Sequence, residues 1–106
     1  MREADFQNRL INKLRDRLPG CFVLKNDPSY LQGIPDLLVL YQDRWAMLEV
    51  KRSDRDVYQP NQEYYLNMFG VMSFSATVTP ENEEEVLDDL QSAFGVARQA
   101  RLFEPQ

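Results

Sequence analysis

Gly33-Ile34-Pro35-Asp36-Leu37-Leu38-Val39-Leu40-Tyr41-Gln42-Asp43-Arg44-Trp45-Ala46-Met47-Leu48-Glu49-Val50-Lys51-Arg52-Ser53 is the stretch that decides the fold. It holds two short apolar runs rich in β-formers, Leu37 to Tyr41 and Trp45 to Val50, separated by the polar trio Gln42, Asp43 and Arg44. Two such runs with a short polar break predict a β-hairpin. Pro35 must precede the first strand or begin it, because it donates no ladder hydrogen bond.

Side chains alternate along a strand, so Ala46, Leu48 and Val50 share one face while Trp45, Met47, Glu49 and Lys51 share the other. Glu49 and Lys51 then point the same way from an apolar strand, where an uncompensated charge is costly. A divalent cation is one compensating object. Asp36 opens the first strand, and a tight hairpin brings it beside Glu49; two converging carboxylates suit Mg²⁺ or Mn²⁺, and a neighbouring ammonium, Lys51, suits a phosphate or an attacking water. The competing reading makes Asp36 a turn carboxylate and Glu49 and Lys51 an ion pair on a half-solvated sheet.

The chain has 106 residues and a formal net charge of −5. That length predicts one domain, residues 1–106, with a modest core. It has no histidine, which excludes His-based triads and His-ligated zinc. Its one cysteine, Cys21, allows no internal disulfide, and the apolar neighbours Phe22 and Val23 predict a buried thiol rather than a nucleophile. No apolar run reaches signal-peptide or membrane length, so a soluble, cytoplasmic protein is expected. The charge is unevenly spread. Residues 1–60 hold ten Lys/Arg against nine Asp/Glu, residues 61–106 two against eight, and Glu81 to Asp89 alone supplies six acids. A site whose carboxylates are neutralised by metal leaves the first half positive, so phosphate contacts rather than bulk charge must carry nucleic-acid binding.

Phe6, Leu10, Leu14 and Leu18 recur every four residues with Ile11 beside them, which predicts a helix over 2–18 closed by Pro19-Gly20. On its wheel Glu3 falls within the apolar stripe, so its carboxylate is expected to face inward; otherwise it is a first-turn acid favouring the helix dipole. Cys21 to Lys25 reads as a strand and Asn26 to Gly33 as a loop, in which Lys25, Ser29 and Tyr30 stand where a phosphate is gripped, or are ordinary solvated residues. Arg52 to Tyr58 is a charged connection. Pro60 is expected at the N1 position of a second helix that turns Gln62, Tyr65, Leu66 and Phe69 to one side and stops at Gly70. Val71 to Thr79 reads as a strand. A last helix after Pro80 carries Val86, Leu87, Leu90 and Phe94 inward and stops at Gly95, its acids forming a solvated face. The tail 96–106, with Phe103, is left as a strand or an oligomer contact.

Pro35-Asp36 followed thirteen positions later by Glu49-Val50-Lys51 across a hairpin resembles the PD-(D/E)XK nuclease superfamily. Within it, Gly33-Ile34-Pro35-Asp36-Leu37-Leu38 and Gln59-Pro60-Asn61-Gln62 look most like the virus-type replication-repair nuclease (VRR-NUC) domains, many of them phage-encoded. The resemblance runs from Glu3 to about Leu90. It implies an α/β fold with a restriction-endonuclease-like core, a mixed sheet flanked by helices, and a Mg²⁺- or Mn²⁺-dependent DNA endonuclease. It further implies Asp36, Glu49 and the Val50 carbonyl as metal ligands. Glu3 would reach the metal directly or through water, while Lys51 and Gln62 place water and scissile phosphate. Beside these, Lys25 and Arg52 are the candidate DNA contacts. Free-standing members look like dimeric resolvases of four-way (Holliday) junctions, so a homodimer on branched DNA is expected. A nicking or end-processing nuclease, or a non-catalytic DNA-binding module, is the alternative.

Overall fold

The computed structural model describes residues 1–96. Three helices, α1 (Glu3–Arg17), α2 (Gln62–Met72) and α3 (Glu83–Ala93), and four strands, β1 (Phe22–Lys25), β2 (Leu37–Tyr41), β3 (Arg44–Val50) and β4 (Phe74–Val78), follow in the order α1-β1-β2-β3-α2-β4-α3. The sheet order is β1-β2-β3-β4, with β1–β2 and β2–β3 antiparallel and β3–β4 parallel. It is a mixed sheet flanked by helices, the α/β class expected.

The hairpin forms because only two residues turn it. Tyr41 pairs with Arg44, and Gln42 takes a positive φ of 56°. Arg44 therefore belongs to β3 rather than to the turn, and its guanidinium donates to the Ala93 carbonyl at 3.0 Å. On one face of the sheet Leu37, Val39, Ala46, Leu48, Val50 and Val78 meet Phe6, Leu10, Leu14 and Leu18 from α1 and Val86, Leu87, Leu90 and Phe94 from α3, all in one buried cluster. Removing that apolar surface from water at about 25 cal/mol per Å² is the main force holding the two helices on the sheet. α2 covers the opposite face over β3 and β4, with Phe69 edge-on to Trp45 at 5.9 Å and Leu66 buried.

Four expectations change. Pro60 lies in the turn before α2, whose cap is Asn61 in a left-handed conformation (φ 71°), so Pro60 is not the N1 residue. Gly70 does not stop α2, which continues to Met72; a Cβ there would lie 3.0 Å from Ser75 Oγ, so the residue serves close helix–strand approach instead. β4 accordingly starts at Phe74 rather than Val71. The acids of α3 are not simply solvated. Glu83 is buried and takes Lys13 at 2.7 Å and Arg9 at 3.4 Å, while Arg17 pairs with Asp88 at 2.9 Å and with Glu84. Cys21 is half-buried, with Sγ 3.6 Å from the Leu14 carbonyl, and burial raises its pKa, as suits an unreactive thiol. Apart from Val96, the tail lies outside the described residues. No helix among them is long and apolar enough to cross a membrane.

Candidate active site

The hairpin register places Asp36 opposite Glu49, because Leu37 pairs with Leu48. Asp36 is fixed from both sides. Its Oδ2 accepts the Val50 N–H at 2.8 Å, and its backbone carbonyl accepts the Asn26 N–H at 2.8 Å. Next to it, Glu49 is only 2% exposed, held under α2 by the pairing of β3 with its two neighbours.

Gln62, the first residue of α2, sits over this carboxyl. Its Nε2 donates to Glu49 Oε2 at 2.6 Å, and its Oε1 accepts from Lys51 Nζ at 2.9 Å and from the Gln59 N–H at 2.6 Å. The two donors on Oε1 fix which end of the amide faces Glu49. Lys51 is itself buried. Its ammonium stands 3.4 Å from Glu49 Oε2, donates to the Val57 carbonyl at 3.2 Å, and lies 5.7 Å from the centre of the Tyr58 ring, whose hydroxyl is 2.8 Å from Thr77 Oγ1. The Glu49–Lys51 ion pair of the competing sequence reading is thus present, but buried rather than half-solvated.

One atom remains unanswered. Glu49 Oε1 is buried with no hydrogen-bond partner. Burial first, and the Asp36 carboxylate second, push the Glu49 carboxyl up to about 7, against the opposing pull of Lys51. An orphaned anionic oxygen beside a second carboxylate is a place that a hard divalent cation fits, since Mg²⁺ is commonly held by one or two carboxylates and keeps several waters. Among the described residues no group of three or more Asp, Glu, Cys or His stands close enough to hold a metal, so Asp36 and Glu49 meet as a pair.

Glu3 explains why. The wheel angle placed it inward, but in the first turn of α1 it is largely exposed. Partial burial and the nearby Asp36 raise its carboxyl above the usual range. It lines a cleft of about 520 Å³ with Arg2, Lys51, Arg52, Asp56, Val57 and Gln59. Arg52 lies in that cleft with its Nε 3.7 Å from Asp56; Lys25 ends β1, exposed, opposite Leu37. Asp36, Glu49, Lys51 and Gln62 are thus brought together, Glu3 and Arg52 line the adjoining cleft, and Lys25 ends the neighbouring strand.

Sequence reasoning missed Asn26, whose Nδ2 donates to the Pro35 carbonyl at 2.8 Å, together with the Val57 carbonyl, Tyr58 and Arg2. Of these only Asn26, an Asx residue directly after a strand, left a local signal. The loop that carries Asp36 is wedged against the start of α2 at Gly33 (φ 91°), where a Cβ would stand 2.6 Å from Asn61 Cβ. Only a residue without a side chain fits there.

No protein-family profile and no curated protein matches the chain. Solved structures do. A structure titled "VRR_NUC domain protein" superposes with a TM-score of 0.65 at 13% identity, covering 92% of this chain and 91% of its own. Another, titled "VRR_NUC domain", gives 0.58 at 21% identity, covering 76% of this chain and 92% of its own. At that identity the likeness speaks for architecture: the chain has the fold of the VRR_NUC domains, a restriction-endonuclease-like mixed sheet with its candidate site where β2 begins and β3 ends.

Proposed function

We propose that the protein is a metal-dependent DNA endonuclease that hydrolyses phosphodiester bonds and selects branched DNA, with four-way junctions as the preferred substrate. The observation that carries the nuclease reading is the buried, unpartnered Glu49 Oε1 beside Asp36, with the Lys51 ammonium at its side. Asp36, Glu49 and the Val50 carbonyl would hold Mg²⁺ or Mn²⁺. When bound, the cation supplies Lewis-acid stabilisation of phosphate charge and a nucleophilic water near neutral pH.

The chain's own residues do the rest. The Val50 N–H holds Asp36 in one rotamer. Gln62 holds Glu49 and Lys51 through the two ends of one amide, so the ammonium is kept beside the site, where it would meet the scissile phosphate, without being free to neutralise Glu49 alone. Glu3 supports the site from the cleft. Arg52, Lys25 and Arg2 would contact backbone phosphates, Arg2 and Arg52 by giving up Asp5 and Asp56. The reading extends to a homodimer, because symmetric incision of a junction needs two sites of matching geometry. A surface for it exists: Phe22, Leu24 and Leu40 are exposed together on the α2 side of the sheet, beyond the cover of α2, and β1 is an edge strand among the described residues. An uncovered apolar face on an edge hairpin suits a second copy across a two-fold axis.

The test is cleavage of a four-way junction, a nicked duplex and a linear duplex with Mg²⁺ or Mn²⁺, beside calorimetric titration of the metal. Asp36→Asn and Glu49→Gln should each lower cleavage by orders of magnitude and weaken metal binding, with the fold retained. Lys51→Ala should keep metal binding and lose turnover. Parent-like cutting by Glu49→Gln would remove the assignment, and equal cleavage of all three DNAs would remove the junction preference.

A further inference from the structure

Tyr30 holds its ring in solvent at 88% exposure, the highest of any described aromatic residue among the large exposed hydrophobics. Its loop is not slack. Asp27 Oδ1 accepts from the Ser29 N–H at 2.9 Å and from the Ser29 hydroxyl at 2.6 Å, and the Asp27 carbonyl accepts from the N–H of Tyr30 at 3.1 Å and of Leu31 at 3.4 Å. The base of the loop is closed by the Asn26 N–H on the Asp36 carbonyl, and its far side is wedged by Gly33 against Pro60 and Asn61. An ordered loop rooted on the candidate site thus displays an uncovered aromatic ring. A ring so displayed loses little conformational freedom when something stacks on it.

A second ring stands on the opposite flank. Tyr58 is 41% exposed, its hydroxyl tied to Thr77 on β4 and its ring beside the Lys51 ammonium. The loop of Tyr30 enters from the β1–β2 side of Asp36 and Glu49, and Tyr58 stands on the β4 side, so the carboxylates lie between an aromatic residue at each flank. The cleft beside the carboxylates offers Arg2, Lys51 and Arg52, with Arg2 paired to Asp5, Arg52 to Asp56, and Glu3 on the same lining. Exposed rings close to cations are the combination that binds unpaired nucleotides, in which phosphates meet charge and bases stack on side chains.

Resting on the nuclease reading above, we infer that Tyr30 and Tyr58 stack the bases on either side of the scissile phosphate, so that the site selects DNA whose nucleotides around the cut are unpaired, as in a frayed end or at a junction whose central pairs open on binding. The balance of forces agrees with this. With a net charge of −5 the chain gains little from bulk attraction to phosphates, and stacking supplies affinity that salt does not screen. Continuous duplex keeps its bases stacked on one another and offers neither ring a partner.

The experiment measures binding, without metal, of fluorescent single-stranded oligothymidylate and of a fully paired linear duplex with G·C ends. Tyr30→Ala should weaken binding of the single strand by roughly 5- to 150-fold, the range of one lost base stack, and leave the duplex unchanged, while Tyr30→Phe binds like the parent. Tyr58→Leu should lose affinity for the single strand as well. An abasic position scanned along the oligonucleotide should weaken parent binding by a similar factor at the stacked nucleotide and make Tyr30→Ala neutral there. If Tyr30→Phe fails as badly as Tyr30→Ala, the hydroxyl grips a phosphate and the inference is wrong; equal effects on both DNAs, or none, also overturn it. Because no cleavage is involved, the inference and the nuclease reading fail separately: the predicted pattern in a protein that cuts no DNA would sink only the latter.

Discussion

At the scale of single residues, Glu49 sets the pH behaviour. Its carboxyl titrates near 7 in the folded chain, above its ordinary value of 4.5, because burial and Asp36 disfavour its charge. The metal-free fold therefore binds that proton more tightly than the unfolded chain does. Its contribution to stability is fully present below about pH 4.5 and is lost as the pH climbs through about 7, by an amount on the order of 3 kcal/mol. Melting of the metal-free protein should therefore fall between pH 5 and 8 in a way that Glu49→Gln abolishes, and Mg²⁺ or Mn²⁺ should restore the loss. A flat parent profile would mean that Lys51 already compensates the ionised form. Glu49, Lys51 and Gln62 were legible from sequence because each is a polar group set in an apolar stripe whose period is known, and Asp36 because a tight hairpin brings the start of its first strand beside the end of its second. The depth of Glu3 was not, since a wheel gives an angle and not how far a first turn overhangs the core. Asn26, the Val57 carbonyl and Tyr58 enter through loop closure, which no local period encodes.

At the scale of elements, α1 is held on α3 by charge as well as by its leucines. Glu83→Ala should cost about 1–2 kcal/mol in urea denaturation, below the 3–5 typical of a broken buried pair, because Arg9 and Lys13 are part-exposed and regain water. The exposed Glu85→Ala should change stability by less than about 0.5 kcal/mol. Equal effects would return the acids of α3 to a solvated face. Gly33→Ala should be worse than either and should also slow cleavage, since it pushes the Asp36 loop away from Asn61 and with it disturbs Gln62. These ties were hidden in the sequence for one reason. The cations that meet Glu83 lie about seventy residues earlier, and the glycine wedge is understood only when two loops are side by side, whereas strands, apolar helix faces and the hairpin are written in adjacent residues.

At the scale of the whole molecule, the exposed Phe22, Leu24 and Leu40 and the edge of β1, unpaired among the described residues, predict how the proposed dimer is broken. Phe22→Glu should give a monomer by light scattering and lose paired incision of a junction while each site still nicks; an unchanged dimer would move the interface elsewhere. The parallel pairing of β3 with β4 has a consequence for the order of events during synthesis. Asp36, Glu49 and Lys51 leave the ribosome before Gln62 and well before Val78, whose carbonyl receives the Lys51 N–H at 2.9 Å. Until the chain has travelled back through α2 and laid β4 alongside β3, Glu49 and Lys51 remain in water with ordinary chemistry. Pulsed hydrogen exchange during refolding should find the Lys51 amide protected only when β4 docks. In the nuclease reading proposed above, a half-folded copy would be harmless to the DNA around it, the capacity to cut arriving only with β4.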